Sequence, residues 1–124
     1  MIEITGRVKH KALVEEFVMN LTRHLKMDHR KKWSIEVQFV RKCEDNALGL
    51  CYDDAEKEIV IEIARMCFIN PDYRMYNFYE QMQTLAHEMV HAKQFIEGDY
   101  PSEKEAKKLE HTLFAQCFPW KELP

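Results

Sequence analysis

The sequence predicts one α+β domain over residues 1–124, on three observations. Alternating apolar–polar runs come in the first half, and long segments of helical periodicity follow, an order typical of α+β folds rather than interleaved α/β folds. The 124 residues suffice for one hydrophobic core and are too few for two ordinary domains. The composition is 46% hydrophobic and 31% charged with only three Gly and four Pro, which excludes disorder, collagen and low complexity.

Each element has its own warrant. Ile2 to Arg7 alternates weakly and reads as a short strand. Lys9 to Lys26 carries Leu13, Val14, Phe17, Val18, Leu21 and Leu25 at helical spacing. Trp33, Ile35, Val37 and Phe39 alternate with Ser34, Glu36 and Gln38, as in a half-buried strand. Arg41 to Asn46 reads as a turn. Ala47 to Tyr52 and Glu58 to Ala64 are two further strands, with Asp53 to Lys57 as a hairpin loop. Asn70-Pro71-Asp72 breaks the chain. A long helix runs from about Met75 to Glu97 and stops at Gly98. A last helix opens after Pro101, with Ser102 as N-cap and Glu103 and Glu105 in its first turn. The expected order is an N-terminal helix, a small antiparallel β-meander, and two helices.

Composition also narrows the partners. Lys plus Arg is 18 and Asp plus Glu is 21, so the formal charge of 18 − 21 = −3 argues against a polyanion. Lys26, Arg30, Lys31 and Lys32 cluster beside Trp33, a pattern that suits a solvated loop with Trp33 in the core, and secondarily a nucleic-acid contact. The start of the chain has no apolar leader, and no run is long enough to span a membrane, so a cytoplasmic protein is expected. Cys43, Cys51, Cys67 and Cys117 form no CxxC pair and read as reduced, mostly buried thiols.

The one specific motif is His87-Glu88-Met89-Val90-His91, an HExxH on the long helix. Residues four apart share a helix face, about 6 Å apart along the axis. Two imidazoles so placed converge on one metal ion, and Glu88, one step on from His87, reaches a water beside it. Phe78, Met82, Leu85, Met89, Ala92 and Ile96 form the core stripe. His87 points away from it and His91 lies roughly 140° round, so both face a cleft or solvent. Thr84 and Gln94 share that side. A catalytic zinc takes three protein ligands and a water. Glu97, Asp99, Glu103, Glu105, Glu110 and His111 are the candidates for the third. Glu103 and Glu110 lie close to the apolar line of the last helix, whereas Glu105 and His111 lie roughly 100° and 140° from it. An inward-facing acid without a partner is costly, and a cation would resolve that cost.

These residues resemble the zincin metallopeptidases, specifically small gluzincin-like domains of phage or bacterial type. Leu85 to Gln94 looks like their HExxH helix. Ser102-Glu103-Lys104-Glu105-Ala106 is similar to their ExEA segment, whose first glutamate binds the metal. The resemblance thus implies Zn2+ held by His87, His91 and Glu103, with Glu88 as general base, in a zinc metalloendopeptidase acting on a peptide or protein. It also implies that the strand preceding the active-site helix, Glu58 to Ala64, borders the cleft and pairs its edge with extended substrate. Two departures stand out. Lys107 occupies the place where some gluzincins have an Asp that supports a metal ligand, and only eleven residues separate His91 from Glu103. A plain antiparallel helix pair would bring Glu110 level with His91. A weaker resemblance, to SprT-like metalloproteases, would use His111 as third ligand and allow DNA-bound substrates.

An oxyanion donor is common in such sites, and Tyr100 is the first choice, with Tyr73, Tyr76 and Tyr79 as alternatives. A non-catalytic zinc-binding assembly or recognition module competes with the peptidase reading, because so small a chain walls off little of a cleft. Met66, Met75, Met82 and Met89 read as core filler, and Phe118-Pro119-Trp120 as a cap on the core.

Overall fold

The computed structural model describes residues 2–27, 32–54, 58–67, 74–75 and 77–122. The elements are β1 (Ile2–Gly6), α1 (Lys11–His24), β2 (Ser34–Val40), β3 (Gly49–Asp54), β4 (Glu58–Ala64), β5 (Met66–Cys67), β6 (Arg74–Met75), α2 (Phe78–Glu97) and α3 (Glu103–Cys117). Short 3-10 turns cover Glu44–Asn46 and Trp120–Glu122. The fold is α+β, with three α-helices and a four-stranded mixed sheet among the described residues.

The antiparallel meander is not what forms. The sheet order is β1-β2-β4-β3, with β1 parallel to β2 and β2 parallel to β4; only β3 runs antiparallel, against β4. Ile35, Val37 and Phe39 sit in register with Ile59, Ile61 and Ile63, so two apolar rows face one side together. The β3–β4 hairpin forms as expected, but β3 lands outside β4 rather than between it and β2. β4 therefore has both edges paired, and its near-continuous burial from Ile59 to Ile61 and at Ile63 and Ala64 is that of a central strand. The weak N-terminal strand joins the sheet as its far edge, with α1 as the long crossover that a parallel pair requires.

The helices pack to give one core. Val14, Phe17, Val18 and Leu21 of α1 and Met82, Leu85, Ala86 and Met89 of α2 join the apolar rows of the sheet. Several of the alternate sheet positions are polar: Tyr52 Oη donates to Glu62 Oε2 at 2.7 Å, and Gln38 Nε2 donates to Glu36 Oε1 at 2.9 Å. α3 packs on α2 and α1. After α3, Phe118 stacks edge-on to Phe17 with centroids 5.5 Å apart, and Trp120 Nε1 donates to Ala115 O at 3.0 Å, so this segment does cap the core.

Other expectations settle unevenly. Met82 and Met89 are fully buried. Trp33 is half-buried against the core and Lys32 is exposed, whereas Arg30 and Lys31 lie outside the described residues, as do Asn70-Pro71-Asp72, Tyr73 and Tyr76. Asp53 and Asp54 belong to β3, and the remainder of the expected loop, residues 55–57, is likewise outside. Cys43, Cys51 and Cys117 are free thiols. No helix among the described residues is long and apolar enough to cross a membrane.

Candidate metal centre

The site begins with how α2 is held. Asn77 and Glu80 form a reciprocal capping box: Glu80 N donates to Asn77 Oδ1 at 2.9 Å, and Asn77 N donates to Glu80 Oε1 at 3.4 Å. Gly98, at φ 73°, ends the helix in the left-handed conformation that glycine adopts without Cβ strain. The chain then turns back, and Ser102 caps α3 by accepting from Glu105 N at 3.2 Å. This tight return brings the first residue of α3, Glu103, over the histidine face of α2.

The geometry there is compact. Glu103 Oε1 lies 2.6 Å from His87 Nε2, and Glu103 Oε2 lies 3.1 Å from His91 Nε2. His87, His91 and Glu103 each offer one ligand atom, and these atoms all lie within 4.8 Å of one another. Glu103 is thus the acid that completes, with the two histidines, a group able to hold a metal ion. Eleven intervening residues are enough because α3 starts at Glu103 itself rather than a turn later.

The far sides of both rings are also engaged. His87 Nδ1 lies 2.9 Å from Glu110 Oε2, and His91 Nδ1 lies 2.8 Å from Gln94 Oε1. A ring that donates through Nδ1 keeps Nε2 as the acceptor, the tautomer a metal needs. Glu110 therefore comes level with His87, not His91, and acts as its orienting partner. Gln94, 3% exposed, does more than hold His91. Its Oε1 accepts from Ser102 N at 3.0 Å, and its Nε2 donates to Ser102 O at 3.3 Å and to Glu105 Oε1 at 3.4 Å. One amide thereby ties His91 to the start of α3.

Glu88 is 7% exposed and lines the same cleft, of about 820 Å3, together with Thr84, both histidines, Glu103, Glu110 and Leu48 to Cys51. Burial raises its pKa; the neighbouring His87 and His91 oppose that rise, and Glu103 and Glu110 add to it. Glu103, whose side chain is 59% exposed, behaves oppositely: modest burial pushes it up, but His87 and the hydrogen bond to His91 outweigh that and hold it below the usual carboxylate range. Two carboxylates in one cleft are thus driven apart, one toward proton uptake and one toward a fixed charge.

Gly49 sets the cleft wall. A Cβ there would come within 2.5 Å of Thr84 Cγ2 and 3.2 Å of Glu88 Oε2. Only glycine lets β3 approach α2 this closely. The strand bordering the cleft is therefore β3, not Glu58 to Ala64, because β4 is the inner strand and has no free edge. Gly49 was not legible as a site residue; a glycine opening a strand was its only signal. Gln94 was visible on the histidine face, but its reach to Ser102 depends on the α2–α3 return.

The remaining candidates lie apart. Tyr100 is 93% exposed and does not line the cleft. Tyr79 stacks on Trp120 with centroids 6.2 Å apart, in the aromatic cap. His111 is an exposed side chain whose Nε2 is 3.9 Å from Glu110 Oε1, outside the His87–His91–Glu103 group. Glu97 sits 3.9 Å from Lys93 in an ordinary i,i+4 pair, Asp99 is exposed, and Glu105 is held by Gln94. No protein-family model matches the chain, and no curated protein or solved structure matches it at a significant level.

Proposed function

We propose that the chain is a zinc-dependent metallopeptidase of zincin-like architecture. The observation that carries this reading is the convergence of His87 Nε2, His91 Nε2 and a Glu103 carboxylate on one point, with both Nδ1 atoms already engaged by Glu110 and Gln94. Two imidazoles and a carboxylate are the donor set of catalytic zinc, which leaves a fourth position open. When bound, zinc supplies a Lewis acid for a carbonyl oxygen and brings the pKa of its water to about 7.

The chain's own residues supply the rest. Glu88 lies buried beside the histidines, where it accepts a proton from the attacking water and returns it to the leaving amine. Its raised pKa suits the return step as well as the uptake. Glu110 and Gln94 keep the rings in the ligating tautomer. β3, the sheet edge along the cleft, offers Leu48 to Cys51 as the wall against which an extended peptide lies.

The test is zinc content by elemental mass spectrometry on untagged protein, followed by hydrolysis of an unfolded protein substrate. About one zinc per chain, lost in His91→Ala, together with turnover abolished by chelation, is the expected result. Failure to take up zinc removes the reading. Zinc without turnover turns it into that of a metal-binding assembly module.

A further inference from the structure

A second cavity, of about 630 Å3, shares no described residue with the candidate metal cleft. It is lined by Gly6, Arg7, Val8, Lys9, Arg65, Asn77, Phe78 and Gln81. Its place in the fold is specific. Gly6 ends β1, and Arg65 directly follows β4, with Arg65 N donating to the carbonyl of Val40, the last residue of β2, at 2.7 Å. The cavity therefore lies at the carboxyl ends of the parallel strands. Ligands of open sheets with parallel strands bind in such crevices.

The described lining has one sign of charge. Arg7, Lys9 and Arg65 contribute three cations, and no Asp or Glu lines the cavity among the described residues. Arg65 Nε is buried without a hydrogen-bond partner, the one such side-chain atom found among the described residues. A buried, unpaired guanidinium N–H is costly, and an oxyanion would satisfy it. Val8 and Phe78 add an apolar wall beside the cations. The volume falls in the range of small-molecule sites and exceeds what a lone anion fills.

We propose that this cavity binds a small phosphorylated molecule, its phosphoryl group held by Arg65, Arg7 and Lys9 and its organic part against Val8 and Phe78. A guanidinium matches phosphoryl oxygens in a planar, multiply hydrogen-bonded way that favours Arg at the most buried position. Gly6, at φ 87°, turns the chain so that Arg7 and Lys9 follow directly at the rim.

The experiment is a titration of the full chain with inorganic phosphate, phenyl phosphate and benzoate at constant ionic strength. The readout is the NMR shift of the Arg65 Nε–H and of the Gly6, Val8 and Lys9 amides, which a phosphate at the metal cleft would not move. Saturable shifts are expected, with phenyl phosphate binding more tightly than phosphate and benzoate weakest. Arg7→Gln, an exposed substitution, and Arg65→Gln should each weaken phenyl phosphate about tenfold or more, the loss of one charge-assisted hydrogen bond. Zinc content should stay unchanged in both. Shifts that do not saturate, that benzoate reproduces equally, or that survive in Arg7→Gln and Arg65→Gln would overturn the proposal. Its outcome is independent of the peptidase reading.

Discussion

The two sides of α2 are both buried but for different reasons. One side presents Met82, Leu85, Ala86 and Met89 to the sheet, and its contribution is apolar area removed from water. The other presents His87, His91 and Gln94, and its ring and amide atoms meet named partners on α3 or on α2 itself. The apolar side tolerates exchange between groups of similar size. The polar side does not, because each member fixes the direction of another. Burial alone thus does not distinguish core from site; what the buried atoms are bonded to does.

The largest expected effect breaks the polar side without disturbing its shape. Glu88→Gln keeps the volume and removes the proton acceptor, so hydrolysis should fall by about 10²–10⁴-fold while zinc content and melting temperature hold. Equal turnover in this variant would sink the mechanism. The apolar side breaks differently. Met89→Ala should cost about 2–5 kcal/mol of folding stability in a denaturant melt, the cost of a large buried side chain removed from a packed core. Its remaining folded fraction should still bind zinc.

A smaller effect separates the candidate ligands from the residues that hold them. Glu110→Ala and Gln94→Ala should each lower zinc affinity by about 10–100-fold in a chelator competition. Gln94→Ala should also shift the amide signals of Ser102 and Glu105, because it releases the start of α3, whereas Glu110→Ala should not. If the two variants perturbed α3 alike, the assignment of separate duties would fail.

The smallest effect concerns a buried thiol outside both sides. Burial pushes the Cys43 pKa from the ordinary 9.0 to about 11, with Glu62 and Glu88 adding to the rise. The fold therefore favours the neutral thiol. That contribution is fully present below pH 9.0 and is lost as pH rises from 9.0 to about 11. Cys43→Ala should flatten this part of the stability–pH curve, and native Cys43 should resist alkylation by iodoacetamide at pH 8, a value roughly a unit below its unfolded range.

Local chemistry made much of this legible. The β4 boundaries, the Gly98 stop, the Ser102 cap and the HExxH register follow from period, glycine conformation and capping, which act over a few residues. The α+β class follows from the same signals. Strand order does not. Nothing in Ile35 to Phe39 or Ile59 to Ile63 distinguishes a parallel neighbour from an antiparallel one, since either buries the same alternate positions. Taking consecutive strands as neighbours gave a meander, and with it the wrong cleft strand.

The sequence by itself determined the helices and the candidate site's two histidines with the acid beside them, because each is set by spacing along one element. Tertiary structure alone set Glu103 rather than Glu110 beside both histidine Nε2 atoms, put Glu110 and Gln94 on the Nδ1 atoms, left Tyr100 in solvent, and put Gly49 against Glu88. Those choices depend on the angle at which α3 returns over α2 and on which strand ends at the sheet's edge. Both are settled by packing between elements distant in the chain, where residue spacing carries no information.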